Sequence, residues 1–98
     1  MWINIHIIFK VFKGGDDFML SKLNTSNKVV GAKQVKRALN SYDIEAVFIA
    51  KDAENKVTDE IKQTCIIKHI QVILVDDMKK LGDACGIDVS AATAALLK

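Results

Sequence analysis

Lys33, Lys36, Arg37 and Asn40 are the residues of this chain whose types and spacing carry the most chemistry. They fall at i, i+3, i+4 and i+7, so on a helix they share one face, opposite Ala32, Val35, Ala38 and Leu39. Three cations and an amide on one face suit phosphate oxygens and the O6 and N7 acceptors of guanine. A stripe of this kind is also what a solvated helix face looks like, so the spacing alone leaves both readings open. Gly31 immediately precedes the stripe. A helix start opened by glycine offers N–H groups and a partial positive charge to an anion.

A second stretch raises a different question. Leu81, Ala84 and Cys85 form the apolar side of a short helix that Gly86 should end, because glycine takes the left-handed conformation a helix end needs. Ile87-Asp88-Val89 follows, two apolar residues around an acid where the chain should be exposed. Either both side chains fold back into the core or they wait for a partner.

Other residues that could do chemistry have simpler explanations. Asp76-Asp77 precedes the helix that starts near Met78. Acids there complement the helix dipole, and no His, Cys or further acid is spaced to complete a metal or acid–base site. His69 ends a helix and reads as a helix-end or surface residue. Cys65 and Cys85 sit far apart in apolar runs, as buried free thiols of a cytoplasmic protein do. No glycine-rich phosphate loop, nucleophile–base pair or metal cluster points to an enzyme, so no cofactor and no metal are expected.

The elements that position these residues alternate. Leu20 to Asn27 reads as a short helix and Lys28 to Val30 as a strand. A helix over about Ala32 to Asn40 and a strand over Ala46 to Ala50 come next. Lys51 to Lys56 is a polar loop before a helix over Val57 to Lys68, whose Val57, Ile61 and Cys65 recur every four residues. A strand over Ile70 to Val75, the helix from Met78 and a strand in Ala91 to Leu97 complete the chain. Such alternation predicts an α/β fold, a three-layer α/β/α sandwich around a central mixed sheet of about four strands.

Ninety-eight residues, half of them hydrophobic and none proline, make one domain with a real core. The net charge of +2 means that a nucleic-acid binder would have to gather its cations on one face. Residues 1–18 stand apart. Ile3, Ile5, Ile7, Phe9 and Val11 alternate with Asn4, His6 and Lys10 like a strand, in a run too short for the about 20 residues a membrane helix takes. It lacks the features of a signal peptide, and no membrane partner is expected. Lys13-Gly14-Gly15-Asp16 can be encoded by a run resembling a bacterial ribosome-binding sequence just before the codon of Met19. Residues 1–18 are therefore expected to be a leader or extension, with the domain over residues 19–98.

Leu81-Gly82-Asp83-Ala84-Cys85-Gly86-Ile87-Asp88-Val89 resembles the signature of the large-subunit ribosomal protein seven-Ae family, whose members bind kink-turns in RNA. Val29 to Leu39 and Val47 to Glu54 agree in order and spacing, and the resemblance runs from about Ser21 to Lys98. It implies the same sandwich fold and a helix that enters the major groove at tandem sheared G·A pairs. Ordinary A-form RNA hides that groove, so the kink is what makes it readable. Gly31, Lys33, Gln34 and Arg37 match the family's contact positions. Glu54 matches a loop position that contacts a flipped-out nucleotide in some members. Ile87, Asp88 and Val89 match the loop that packs against the extruded base. Ala32, where Thr is common, and Asp83, where Arg or Lys is common, depart from the pattern and imply weaker binding, with Lys79 and Lys80 available for phosphates. The expected partner is thus a structured kink-turn RNA, ribosomal or riboswitch-like, bound by a monomer at or near the ribosome. A protein–protein adaptor using the loop after Gly86 is the competing reading.

Overall fold

The computed structural model describes residues 9–11, 22–24 and 27–98. Five strands form one sheet: β1 (Phe9–Val11), β2 (Lys28–Val30), β3 (Ile44–Ala50), β4 (Val72–Val75) and β5 (Thr93–Leu97). Three helices are α1 (Ala32–Ser41), α2 (Asn55–Lys68) and α3 (Met78–Cys85). Residues 22–24 are also helical. Of residues 1–18 only 9–11 are described, and half of the expected helix over residues 20–27 lies outside the described residues, as does the expected start at Met19.

The sheet order is β1-β4-β3-β5-β2. β3 pairs in parallel with β4, from Val47 opposite Val72 to Ala50 opposite Val75. It pairs antiparallel with β5, where Ile49 faces Thr93. β2 pairs antiparallel with β5, so it runs in the direction of β3. β1 lies in parallel along the outer edge of β4, with Phe9 opposite Val72 and Val11 opposite Leu74. Residues 28–97 thus supply the four strands expected, and β1 adds a fifth.

β3 is central because it has two apolar faces. Ala46, Phe48 and Ala50 join Leu23, Ile73, Val75, Leu81 and Cys85 on one side. Val47 and Ile49 join Val35, Leu39, Ile61, Cys65 and Val72 on the other. Alternation along one strand therefore feeds two cores, one under α3 and one under α1 and α2. This is the three-layer sandwich. The buried Thr93 hydroxyl donates to the Phe48 carbonyl at 2.7 Å, so its polar atom is satisfied at the sheet centre.

Several boundaries shift: β3 begins at Ile44 rather than Ala46 and β5 at Thr93 rather than Ala91, and two other shifts have a local cause. α2 begins at Asn55 rather than Val57, because its first turn is polar and adds nothing to the apolar period. Thr58 is buried there while Val57 is only half-buried, and the Thr58 hydroxyl donates back to the Glu54 carbonyl at 3.4 Å. β4 begins at Val72, not Ile70, because Ile70 is still engaged in ending α2: its N–H donates to the Cys65 carbonyl at 2.9 Å.

That helix end carries a cost. His69 follows α2 in the left-handed region, at φ 60° and ψ 42°. Its N–H donates to Ile66 while that of Ile70 donates to Cys65, the paired bonds of a Schellman ending. Glycine takes this conformation without the Cβ clash, which costs another residue about 1–2 kcal/mol. His69→Gly is expected to stabilise the domain by about 1 kcal/mol and raise the melting temperature by about 4–8 °C in a thermal unfolding scan.

Cys65 and Cys85 are both buried and free, as the sequence suggests. Burial pushes the Cys65 thiol up to about 11. Burial also raises Cys85, against the pull of Lys28. Both stay neutral thiols near pH 7, which makes them packing groups rather than nucleophiles.

Candidate nucleic-acid interface

Strand direction decides where the polar residues gather. β2, β3 and β4 run the same way and β5 runs against them, so the ends of three strands and the start of β5 meet at one end of the sheet. The connections there are bonded to one another. Gly31 N–H donates to the Thr93 carbonyl at 2.9 Å, Ala50 N–H to Ala92 at 2.9 Å, and Lys51 N–H to Val75 at 2.8 Å. Met78 N–H donates to an Asp52 carboxylate oxygen at 2.8 Å, and Ala91 N–H to the Met78 carbonyl at 3.0 Å. Gly31, Glu54, Asp77 and the Ala91–Ala92 end of the last connection thereby lie at one end.

All three helices begin at this end, and their positive dipole ends face it. They differ in how their first turns are closed. At α3 the Asp77 carboxylate accepts from Lys80 N–H at 2.6 Å, and Asp52 takes Met78, so two acids close this start. Asp77 is therefore a helix cap, as its place in the sequence predicts. Glu54 flanks the start of α2 without a side-chain cap bond. α1, like α2, has no side-chain cap and no acid in its first turn, but its N-cap is Gly31 rather than an acid. Its early N–H groups have no partner within the helix and turn toward whatever approaches.

Gly31 sets that start. Its φ of 104° is open to glycine, and a Cβ there would meet the Gln34 Oε1 at 2.7 Å. Lys33, Gln34 and Arg37 are exposed at the N-terminal half of α1. The stripe seen in the sequence is divided, however. Lys36 turns to α2 and pairs with Glu60 at 2.8 Å, and Asn40 donates to the Lys36 carbonyl at 3.3 Å. Lys33 and Arg37 keep the open part of the face, with Gln34 beside them.

The connection after α3 is divided too. Gly86 takes φ 77°, its N–H donates to Asp83, and Ile87 N–H donates to Gly82, another Schellman ending. Ile87 is half-buried against the core below α3. Asp88 is exposed, and Val89 is 68% exposed. One apolar residue anchors the loop and the other is presented.

Near α3, Lys79 is exposed, while Lys80 lies 3.6 Å from an Asp76 carboxylate oxygen. Lys51 reaches the same carboxylate at 3.8 Å. Lys51 is an exposed cation at the loop end that the sequence reading passed over, although its place directly after β3 was the available signal. Asp83 is exposed. Among the described residues no three His, Cys, Asp or Glu side chains are grouped to hold a metal ion. No described helix is long and apolar enough to cross a membrane. An open concavity of about 360 Å³, lined by Tyr42, Asp43, Lys68, His69 and Lys98 among others, lies at the other end of the sheet.

The model of the ribosomal protein L7Ae/L30e/S12e/Gadd45 family matches residues 18–98. The chain belongs to this family. Relatives within reach of the L7Ae-family segment include an RNA-binding protein of Halalkalibacterium halodurans, 51% identical over 70 residues, which are 71% of this chain and 85% of the relative. An RNA-binding protein of Caldanaerobacter subterraneus subsp. tengcongensis is 52% identical over 68 residues, 69% of this chain and 83% of the relative. Among solved structures, a Giardia lamblia 15.5kD RNA binding protein superposes with a TM-score of 0.75 at 22% identity, covering 82% of this chain and 71% of that one. At that identity the likeness speaks for the L7Ae fold.

Proposed function

We propose that this L7Ae-family chain is a non-enzymatic RNA-binding protein that recognises kink-turns through tandem sheared G·A pairs, in ribosomal or riboswitch-like RNA. One observation carries the reading: α1, which starts at Gly31 with no side-chain cap and no flanking acid, presents Lys33, Gln34 and Arg37 at the loop end of the sheet. Lys33 and Arg37 suit guanine O6 and N7 or a phosphate, and Gln34 can donate and accept. Gly31 lets the backbone come close, and Val89 offers an apolar surface to an unstacked base, with Asp88 next to it. Ile87 acts from below, as the anchor. Glu54, at the start of α2, is the acceptor for a flipped-out nucleotide, and Lys79 and Lys80 meet phosphates. A ribosomal setting in the cytoplasm and a monomeric state fit this reading.

The test is binding to a kink-turn RNA and to a control in which Watson–Crick pairs replace the G·A pairs, each at several salt concentrations. Affinity for the control is expected to be weaker by about tenfold or more, since paired, unkinked RNA closes the groove. Both affinities should fall as salt rises, as binding through phosphates requires. Equal affinity for both RNAs would defeat the kink-turn reading. Salt-independent binding to a protein and none to either RNA would favour the adaptor.

A further inference from the structure

Gly82 lies in the interior of α3, where glycine weakens a helix relative to alanine. It is buried, and what covers it is backbone. A Cβ at Gly82 would overlap the Val89 carbonyl oxygen and lie 3.0 Å from the Ser90 Cα and 3.1 Å from the Val89 carbonyl carbon. None of these atoms can swing aside as the end of a side chain can. The loop is also pinned on both flanks: Ile87 N–H donates to the Gly82 carbonyl at 3.2 Å, and Ala91 N–H donates to Met78 at 3.0 Å. The backbone of Val89 and Ser90 therefore lies down on bare helix backbone. From another side, the Asn24 side chain lies beside the exposed Gly86, where a Cβ would come within 2.6 Å of the Asn24 Oδ1.

We propose that Gly82 and Asn24 are positioning residues for RNA recognition: Gly82 is the seat of residues 88–90, Asn24 is their brace at Gly86, and together they fix the height at which Val89 is presented. The proposal rests on the kink-turn reading above. Neither residue needs to touch RNA. Gly82 is buried under the loop, and both act through where Val89 ends up.

The test uses the full chain carrying Gly82→Ala, first without RNA. If the loop is lifted, the amides of Ile87 and Ala91 should exchange with solvent about tenfold faster while those of β3 and β4 keep their protection. Affinity for the kink-turn RNA should then fall about tenfold, with little change on a plain duplex. In a Val89→Ala background the same change should cost much less, because no side chain remains to be misplaced; such non-additivity is what action through Val89 means. Asn24→Ala, at an exposed position that leaves the core intact, should speed Ile87 exchange and lower kink-turn affinity a few fold. It supplies the answer if Gly82→Ala does not fold. Unchanged Ile87 and Ala91 protection with a raised melting temperature would overturn the seat, since alanine would then be bringing only its helix preference. Equal affinity losses with and without the Val89 side chain would overturn the positioning role, as would an Asn24→Ala chain indistinguishable from the parent in both measurements. If the parent chain itself fails to prefer the kink-turn, the functional reading falls, while the exchange data still decide whether the seat exists.

Discussion

Val89→Glu is expected to lower affinity for kink-turn RNA by roughly a hundredfold, because a like charge set against a charged partner costs several kcal/mol. The melting temperature should hardly move. Val89 is 68% exposed, so the substitution takes little from the core. Ile87, which anchors the same loop, stays in place. The new carboxylate would sit beside Asp88 and face phosphates, adding repulsion where an apolar contact was. Val89→Ala separates the two components, since it removes the contact without adding charge and should cost considerably less. Isothermal titration with both variants, beside a thermal melt, checks the expectation. A Val89→Glu chain that binds like the parent would remove the loop from the interface.

Lys33→Ala is expected to cost about 1–3 kcal/mol on kink-turn RNA, the worth of a good contact to a base edge. On a plain duplex the loss should be much smaller, because the guanine edge is out of reach in a closed groove. Lys33 and Arg37 are one helical turn apart and exposed, while Lys36 between them is held by Glu60 at 2.8 Å. Lys36→Ala should therefore matter less than either neighbour. Lys80→Ala should weaken binding to both RNAs alike and flatten the salt dependence by about one unit of slope. Its ion pair with Asp76 at 3.6 Å would temper that effect. Equal losses for Lys33→Ala on kinked and plain RNA would mean that α1 supplies charge alone.

Where local chemistry decides, the sequence was legible. Asp77 and Gly86 mark both ends of α3, because a side-chain cap and a left-handed glycine are local devices. The sandwich follows from alternation of strands and helices, and β3 from its run of apolar residues. What could not be read depends on partners distant in the chain. Lys36 looks like its neighbours Lys33 and Arg37 until α2 brings Glu60 to it. Ile87 and Val89 look equivalent until the Schellman ending turns one down onto the core and leaves the other out. Gly82 looks like a poor helix residue until the loop is seen lying on it. The start of α2 was missed for a different reason: Asn55 and Lys56 carry no apolar signal, although the helix includes them.

The place of β5 in the sheet has a consequence for the order of events during synthesis. β5 spans residues 93–97, yet it lies between β3 and β2, and it is the strand β2 pairs with. A nascent chain that has not yet delivered these residues can pair β3 with β4, which are close in sequence and parallel. It cannot dock β2 in the sheet, so α1, which follows β2, lacks its final support. The Gly31 bond to Thr93 is missing as well until that point. Translation from the amino end therefore delivers α1 early but leaves it unmounted until β5 has emerged. On the proposed reading, RNA recognition through α1 waits for completion of the sheet rather than for synthesis of Lys33 and Arg37.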